Sequence, residues 1–372
     1  MCDDLWDVSL HDLRAVYDPE MHLSMLRDTR RNDFYARCLA VHRTELRGKV
    51  VVDVGAGSGI LSAMAAKGGA AEVHAVEALP ELCRLIPKVL ETALEDPQAR
   101  HRVVVHCDFA ERLCQKRPPP WPRKADMMIS EWLGILALNE GMALPLLRCR
   151  DSFTPRPRMI PGLLRLWIQP AATAPPGGNG RCGPFAVPAE TLQGSSRLLL
   201  EADLNSCGPR DLFETPGCQV DLGTAESAGL VGWFDLHASR EHEDVQLTTA
   251  PTAPQTHWVQ CWMPFRRPLS KLVVQVRLRL VAQSAAAGLP ELCLVLGGEE
   301  VPEADLARYF LDRGQVEFGA SVDAAAPPQP PQKKQRTSEG GAPDIEGCFF
   351  PSDVQELVSL AKEAVRGGES EH

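Results

Sequence analysis

The sequence predicts an α/β protein in which a parallel sheet flanked by helices is followed by a β-rich domain. A run of β-branched residues, Val50–Val54, ends in a glycine-rich turn and is followed by the helix-forming run Ile60–Lys67. Short apolar runs then alternate with helical stretches to about residue 168, as expected for βαβ units. After Pro155 the pattern changes to short strands separated by Gly/Pro-rich turns, which favours a sandwich or a barrel.

Composition limits the classes of protein to consider. The 372 residues suffice for two domains, and 44% hydrophobic with 24% charged residues is a globular composition. The net charge of −10 argues against direct nucleic-acid binding and favours a cationic substrate or partner. No apolar run reaches the length of a membrane span and no signal peptide is evident, which predicts an intracellular protein. The twelve cysteines contain no Cys-x-x-Cys pair, so we expect reduced thiols and no metal site.

Residues 5–46 carry apolar side chains at helical spacing and are expected to form a helical cap on the first domain. From the residues alone, His22 is a capping or hydrogen-bonding histidine and Arg31 a solvated side chain.

The glycine turn after the first strand is the best candidate for a binding site. Gly55, Gly57 and Gly59 follow the pattern G-x-G-x-G, one residue short of the dinucleotide fingerprint. Such a turn lets the backbone approach a ligand, and the helix N-terminus after it offers N–H groups. Glu77 ends the second strand, Val73–Val76, where such folds bind a ribose hydroxyl. These features predict a nucleoside site and leave S-adenosylmethionine and NAD both open.

Two more strands, Val103–His106 and Met127–Ile129, complete the predicted parallel sheet, with a helix at Leu82–Leu94 between the second and third strands. The dipeptide Asp108-Phe109 follows the third strand, where such folds contact an adenine ring. Asp108 can accept a hydrogen bond from the exocyclic amine of adenine, and Phe109 offers an apolar face to the ring.

Two glutamates follow the fourth strand. Glu131 and Glu140 lie nine residues apart in an otherwise apolar segment, where an uncompensated carboxylate is costly to bury. Either both lie at solvent-exposed loop edges, or they meet at the carboxyl edge of the sheet, where open α/β sheets bind ligands. In the second case they would bind a cation with several donors, and a planar guanidinium fits both carboxylates.

The second domain is predicted from short apolar runs at Leu163–Ile168, Arg197–Ala202, Gly217–Leu222, Gly229–Leu236, Trp258–Met263, Leu272–Val281 and Glu291–Leu296. The segment Pro170–Ser196 is rich in Ala, Pro and Gly and is expected to be a loop. Thr256-His257-Trp258 opens one apolar run, and a single His-Trp pair such as His257-Trp258 is usually structural.

We expect the domains to be a helical cap at 1–48, the parallel-sheet domain at 49–160, the β-rich domain at 161–322, a disordered linker at 323–350 and a helix at 351–372.

Taken together, these pieces resemble the protein arginine methyltransferases over roughly residues 20–310. The resemblance rests on the order of five motifs: His22-Leu-Ser-Met25-Leu26-Arg-Asp28 with Arg31, the glycine turn at 52–59, Glu77, the double-glutamate segment from Ser130 to Met142, and Thr256-His257-Trp258. It implies a Rossmann-like S-adenosylmethionine-dependent methyltransferase domain followed by a β-barrel domain. It also implies methyl transfer to the guanidinium of arginine in proteins.

The resemblance further implies roles for particular residues. The cofactor-binding set is His22, Met25, Arg31, Asp53, Gly55, Gly57, Glu77, Asp108, Glu111 and Met142. In this set Arg31 pairs with the methionyl carboxylate and Glu77 holds the ribose hydroxyls. Either Asp108 or Glu111 meets the adenine amine, and this choice stays open. Glu131 and Glu140 clamp the substrate guanidinium, His257 orients the site and takes up a proton, and Trp258 contacts the substrate. Met25 favours mono- or asymmetric dimethylation.

Three positions depart from the family pattern. The usual tyrosine pair before His22 is replaced by Asp12 and Val16, the tyrosine of the double-glutamate loop is Ile135, and the dimerisation arm, expected at about residues 170–192, looks reduced. The alternative is therefore a weak or inactive regulatory or scaffold subunit. Expected partners are basic or Arg/Gly-rich proteins such as histones or RNA-binding proteins, in a homodimer or hetero-oligomer, in the cytoplasm, the nucleus or both.

Overall fold

A computed structural model describes residues 19–116, 121, 124–138, 142–213, 215–281, 291–298, 301–310 and 315–319. The expected tyrosine positions Asp12 and Val16, Glu140, the linker at 323–350 and the helix at 351–372 lie outside the described residues.

The described N-terminal residues are helical, as the apolar spacing predicts. Helices α1 (Pro19–Arg27), α2 (Thr29–Val41) and α3 (Arg43–Leu46) precede the first strand. Asp28 is the N-cap of α2, because its side chain accepts a hydrogen bond from the backbone N–H of Arg31 at 2.9 Å. This cap separates α1 from α2 and places Asp28 and Arg31 one turn apart at the same helix end.

A five-stranded parallel sheet forms the first half of the protein, and its order is β3-β2-β1-β4-β5. Its elements are β1 (Val50–Val54), α4 (Ile60–Lys67), β2 (Glu72–Glu77), α5 (Pro80–Ala93), α6 (Pro97–His101), β3 (Val103–Cys107), α7 (Ala110–Gln115), β4 (Met127–Ile129), α8 (Ala143–Asp151) and β5 (Arg158–Ile160). The four predicted strands are confirmed. The fifth, β5, was missed because it has only three residues and lies between Pro157 and Pro161.

The strand order reverses between β1 and β4, which pair in parallel from Val51–Met127 to Asp53–Ile129. The carboxyl ends of these two strands therefore lie side by side. Open α/β sheets bind ligands at such a switch point. It brings the glycine turn after Val54 next to the segment that begins at Ser130.

The second half consists of two antiparallel sheets, ordered β7-β12-β10-β6-β8 and β16-β15-β14-β13-β9, with β11 paired to β10. Its elements are β6 (Leu163–Ala171), β7 (Gly183–Phe185), β8 (Arg197–Asp203), α9 (Pro209–Phe213), β9 (Cys218–Asp221), β10 (Ser227–His237), β11 (Gln246–Thr248), β12 (Gln260–Leu269), β13 (Val273–Val281), β14 (Glu291–Gly297), β15 (Ala307–Phe310) and β16 (Gln315–Phe318), with 3₁₀ turns at Ala189–Thr191 and Glu303–Asp305. The predicted β-rich half is confirmed. One boundary is corrected, since β12 begins at Gln260 and leaves His257 and Trp258 in the preceding loop.

The expectation that Pro170–Ser196 is an unpacked loop is wrong. Within it, β7 pairs with β12, and the indole N–H of Trp262 donates to the carbonyl of Gly178 at 2.9 Å. Val187 is buried in a small apolar cluster that also contains Trp262. The isolated apolar residues of this segment pack against aromatic side chains from distant strands, and local periodicity contains no signal for such contacts.

One apolar core continues from the parallel sheet into the barrel half. It includes Val51 and Met127 from the parallel sheet as well as Leu230 and Met263 from the barrel strands. This shared core sets the relative position of the two halves, and the site described next lies where they meet.

Candidate functional site

The glycine turn after β1 has the left-handed backbone that its composition predicts. Gly55, Gly57 and Gly59 have φ of +71°, +56° and +84°, a region that side-chain-bearing residues rarely adopt. A Cβ added at Gly55 would lie 2.9 Å from Met142 Cε, and one at Gly57 would lie 3.7 Å from His22 Nδ1. Two predicted cofactor residues from distant segments, His22 and Met142, therefore border this turn.

Glu77 at the end of β2 is tied to the glycine turn. Its carboxylate accepts the backbone N–H of Gly57 at 2.8 Å and that of Leu79 at 2.9 Å, and the residue is buried. Burial raises the pKa of Glu77, although these backbone donors act in the opposite direction. Each oxygen keeps a lone pair after these bonds, so the group can still accept hydrogen bonds from ligand hydroxyls.

Asp53 lies inside β1 and has no exposed surface. Ser62 donates to its Oδ2 at 2.6 Å, whereas Oδ1 is buried and has no hydrogen-bond partner among the described residues. Burial raises the pKa of Asp53 to about 6. A buried acceptor without a donor is costly. A hydrogen-bond donor from a bound ligand would satisfy Oδ1 of Asp53, so this oxygen fits a ligand-binding site.

Arg31 and Glu131 form a buried ion pair between α2 and the segment after β4. Arg31 donates from Nε at 3.2 Å and from Nη2 at 3.0 Å to Glu131 Oε2, and the side chains are 5% and 4% exposed. The backbone N–H of Leu133 donates to Glu131 Oε1 at 3.0 Å. Arg31 also donates to the side chain of Asn32, so its guanidinium is fixed from both sides.

This pairing refines the expectations for both residues. The reading of Arg31 as a solvated residue is wrong because its side chain is buried. The exposed-edge reading of Glu131 is wrong for the same reason. Its charge is balanced by Arg31, as buried carboxylates require. The predicted second glutamate of the clamp, Glu140, lies outside the described residues.

His257 from the barrel half is held by Asp28 from α1–α2. Its backbone N–H and its Nδ1 each lie 2.7 Å from Asp28 Oδ2. Burial alone would raise the pKa of Asp28, but the hydrogen bonds from His257 and Arg31 hold it below its usual value. Since an ionised carboxylate only accepts hydrogen bonds, Nδ1 carries a proton toward Asp28, and in a neutral imidazole Nε2 is then the nitrogen that accepts.

Trp258 links the barrel to the loop that carries Glu131. Its indole N–H donates to the carbonyl of Leu133 at 2.8 Å, and its ring lies 3.7 Å from the His257 ring, centroid to centroid. Phe234 packs edge-on against the same indole, with the ring centroids 5.3 Å apart. The geometry supports a positioning role for this buried indole, and its predicted contact with the substrate stays a prediction.

The two candidates for the adenine contact differ in their surroundings. Asp108 is partly exposed and binds Lys116 Nζ at 2.8 Å, while its backbone N–H donates to the carbonyl of Glu77 at 3.0 Å. Glu111, on α7, has a raised pKa, chiefly because of burial. Asp108 thus follows the end of β3 and is hydrogen-bonded to Glu77, and the choice between the two stays open. Met25 is half-buried at the end of α1.

Sequence reasoning assigned no role to Asp28 or Tyr35. Asp28 lies within the quoted His22–Asp28 motif and precedes a helical run, so its capping role was predictable from an N-cap signal. Its bond to His257, 229 residues away, was not. Tyr35 is fully buried in α2 and donates to the carbonyl of Ser130 at 3.1 Å, which positions the residue before Glu131.

The described part of the chain contains neither a metal-binding cluster nor a membrane-spanning helix. No group of three or more His, Cys, Asp or Glu side chains is placed to hold a metal ion there. Nor does that part contain a helix with the length and apolarity needed to cross a membrane.

Two protein families match parts of the chain. Residues 183–276 match the arginine methyltransferase oligomerization subdomain. Residues 36–81, which contain the glycine turn and Glu77, match the ribosomal protein L11 methyltransferase (PrmA).

Curated relatives cover most of this chain. It is 30% identical over 311 residues to the probable histone-arginine methyltransferase 1.3 of Arabidopsis thaliana, covering 73% of this chain and 55% of the relative. It is 31% identical over 301 residues to the probable histone-arginine methyltransferase CARM1 of Oryza sativa subsp. indica, covering 70% and 54%. The chain thus spans about half the length of the curated relatives it matches.

Solved structures have the same fold. Protein arginine methyltransferase 10 of Arabidopsis thaliana matches with a TM-score of 0.62 at 21% identity, covering 79% of this chain and 94% of that one. A chain of the Trypanosoma brucei PRMT1 enzyme–prozyme heterotetrameric complex with AdoHcy matches with a TM-score of 0.63 at 23% identity, covering 77% and 95%. Both support a parallel-sheet domain followed by a β-barrel.

Proposed function

The chain belongs to the protein arginine N-methyltransferase family, and we propose that it transfers a methyl group from S-adenosylmethionine to a guanidinium nitrogen of arginine in protein substrates. The observation that carries this proposal is the buried carboxylate of Glu131. It lies at the switch point of the sheet and already binds one guanidinium, that of Arg31, through two N–H groups. A carboxylate in this position suits recognition of a second planar cation.

The residues around the glycine turn fit the cofactor. Gly55 and Gly57 let the backbone pass close to it, and the Glu77 carboxylate accepts the ribose hydroxyls. The buried Asp53 Oδ1, which has no donor within the described residues, fits the cationic amino group of the methionyl moiety. Arg31 is placed so that its guanidinium can bind the methionyl carboxylate of the cofactor as well as Glu131.

The methyl group comes from the cofactor, and the charged groups that direct its transfer belong to the protein. S-adenosylmethionine, when bound, supplies an electrophilic methyl group on a sulfonium. Arginine stays protonated near neutral pH, so its nitrogen is a poor nucleophile by itself. Glu131 draws the positive charge toward the nitrogens that it binds and leaves electron density on the nitrogen to be methylated. Because Arg31 balances Glu131, a second carboxylate is required for the substrate cation, and we assign this role to Glu140.

His257 accepts the proton that methylation releases. Asp28 holds the proton on Nδ1, so Nε2 has a lone pair available. The rate gain then comes from positioning and from charges arranged before the reaction. Met25 and Met142 line the transfer pocket and favour mono- or asymmetric dimethylation.

The proposed substrates are basic or Arg/Gly-rich proteins, including histones, because the net charge is −10 and two relatives are named histone-arginine methyltransferases. The match to an oligomerization subdomain supports a homodimer or a hetero-oligomer. The cytoplasm, the nucleus or both are the proposed location.

Mass spectrometry of an Arg/Gly-rich peptide, incubated with isotopically labelled S-adenosylmethionine and the full chain, tests this function. A mass increase on arginine is expected. Glu131→Gln should reduce transfer at least a hundredfold, while S-adenosylhomocysteine still binds in calorimetry. Glu201→Gln is the matched control, since Glu201 also binds an arginine, Arg165, at 2.7 Å but on the barrel surface. Absence of transfer on peptide and histone substrates, with S-adenosylhomocysteine bound, would support a regulatory subunit instead.

A further inference from the structure

Two thiols flank the Glu77 main chain. Cys107 ends β3 and is the register partner of Glu77 in the parallel sheet. Cys83 is in the first turns of α5, and its Sγ donates to the carbonyl of Glu77 at 3.4 Å. Both cysteines therefore lie next to the same residue, one on the neighbouring strand and one on the following helix. Glu77, which is predicted to hold the cofactor ribose, therefore has two thiols next to its main chain.

The two thiols differ in exposure. Cys107 is exposed and Cys83 is half-buried. Burial and the neighbouring Cys107 thiol raise the pKa of Cys83 well above its usual value. An oxidant therefore reaches the exposed Cys107 first. The raised pKa keeps Cys83 mostly protonated, so its attack on the oxidised sulfur is the slow step.

We propose that Cys83 and Cys107 form a redox-responsive dithiol whose oxidation to a disulfide weakens nucleoside binding at Glu77. The second half of this proposal rests on the proposed function, whereas the disulfide does not. A disulfide requires an S–S distance of about 2.05 Å, so its formation draws the start of α5 toward the end of β3. It also removes the S–H donor from the carbonyl of Glu77.

The oxidation balances with a peroxide as oxidant. The Cys107 sulfur attacks hydrogen peroxide, an S–O bond forms as the O–O bond breaks, and one water leaves. Cys83 then attacks the sulfenic sulfur of Cys107, the S–S bond forms as the S–O bond breaks, and a second water carries away the thiol proton. Two thiols lose two electrons in total and the peroxide gains them, and a dithiol reductant reverses the change.

A second thiol pair provides an internal comparison. Cys149, on α8, is fully buried, and the hydroxyl of Ser152 lies 2.7 Å from its carbonyl and 3.4 Å from Sγ of Cys114, on α7. This pair resembles the first in proximity but lacks an exposed sulfur next to Glu77. It is expected to oxidise more slowly.

Peptide mapping of the full chain tests the disulfide directly. After hydrogen peroxide, alkylation of remaining thiols and trypsin, Cys83 lies in Gly68–Arg84 and Cys107 in Val103–Arg112, each the only cysteine of its peptide. The linked pair of peptides is expected after peroxide and is expected to disappear with dithiothreitol. Cys107→Ser should abolish it, and Cys218→Ser, a change at a half-exposed cysteine of β9, should leave it intact.

Calorimetry with S-adenosylhomocysteine tests the effect on binding. Oxidation should weaken the affinity of the wild type by about tenfold, the value of one hydrogen bond between Glu77 and the ribose that is lost when the end of β2 shifts, and should leave the affinity of Cys107→Ser unchanged. Peroxide that yields only sulfinic or sulfonic acid at Cys107, with Cys83 still alkylated, overturns the proposal. A linked peptide with unchanged affinity overturns its regulatory half. If the reduced protein does not bind S-adenosylhomocysteine, the proposed function fails, and the linked peptide alone decides the dithiol.

Discussion

The Asp28–His257 contact gives the sharpest test of the site, through the substitution Asp28→Asn. Asparagine is as good an N-cap as aspartate, so its side-chain oxygen can still accept the N–H of Arg31 and preserve the start of α2. The amide nitrogen then replaces Oδ2 and faces both the backbone N–H and Nδ1 of His257, each at 2.7 Å. Donors therefore face donors across the junction between the two halves.

The magnitude follows from these two bonds. The imidazole can take its other tautomer and accept from the new amide, but the backbone N–H cannot adapt and loses a charge-assisted bond. Such a loss costs about 2 kcal/mol in the free energy of unfolding. The other tautomer carries its proton on Nε2, so His257 can no longer accept one there. Loss of a general base lowers rates by about 10²–10⁴-fold, and we expect methyl transfer to fall at least a hundredfold.

The assay compares methyl transfer, S-adenosylhomocysteine affinity and denaturant unfolding in the same variants. Transfer should fall while the affinity changes less than about twofold, because neither Asp28 nor His257 borders the glycine turn. Asp96→Asn is the matched control: Asp96 caps α6 by accepting the N–H of Gln98 at 2.9 Å and has no histidine partner among the described residues. A transfer rate near that of the wild type, with the expected loss of stability, would reduce the Asp28–His257 pair to a structural link and refute the proton-acceptor role.

Three further predictions concern other parts of the site. If the Asp53 carboxylate binds the cofactor amino group, its pKa of about 6 predicts an S-adenosylhomocysteine affinity about tenfold weaker at pH 5 than at pH 7, and calorimetry should show no such trend in Asp53→Asn. Without ligand, the raised pKa of Asp53 favours the folded state below about pH 4, and this contribution to the free energy of unfolding is lost as the pH rises through about 6. The free energy of unfolding of the wild type, measured over this pH range, should therefore fall relative to that of Asp53→Asn. Gly59→Ala should destabilise by about 1–3 kcal/mol more than Gly48→Ala, because φ is similar (+84° and +70°) but only the Gly59 Cβ would meet Ile86, at 2.8 Å; equal denaturation midpoints would contradict this. Trp258→Phe keeps an aromatic ring but removes part of the buried indole and its bond to Leu133, so the free energy of unfolding should fall by at least about 1 kcal/mol and transfer should fall more than cofactor affinity.

The parallel sheet and its glycine turn were predictable because their signals are local. A β-branched run predicts a buried strand, and Gly55 and Gly57 occupy left-handed backbone that other residues rarely adopt. Glu77 was predictable from its place at the end of the next strand, and the structure ties it to Gly57. Each of these inferences needs only the spacing of neighbouring residues.

The barrel half shows where such reasoning stops. Its strands were predicted from alternation, but the packed segment around β7 was not, since Val187 is buried by aromatic residues from other strands. The short strand β5 was missed for a related reason, because three residues between prolines have too little pattern to read.

By itself, the sequence determined which residues carry charge near the switch point and which backbone positions required glycine. Only the tertiary structure decided how those charges pair. Arg31 meets Glu131 across 100 residues and Asp28 meets His257 across 229. The first contact depends on how helix α2 packs on the parallel sheet, and the second depends on how the barrel docks against both. That docking is set by burial of a shared apolar core, which local spacing does not specify.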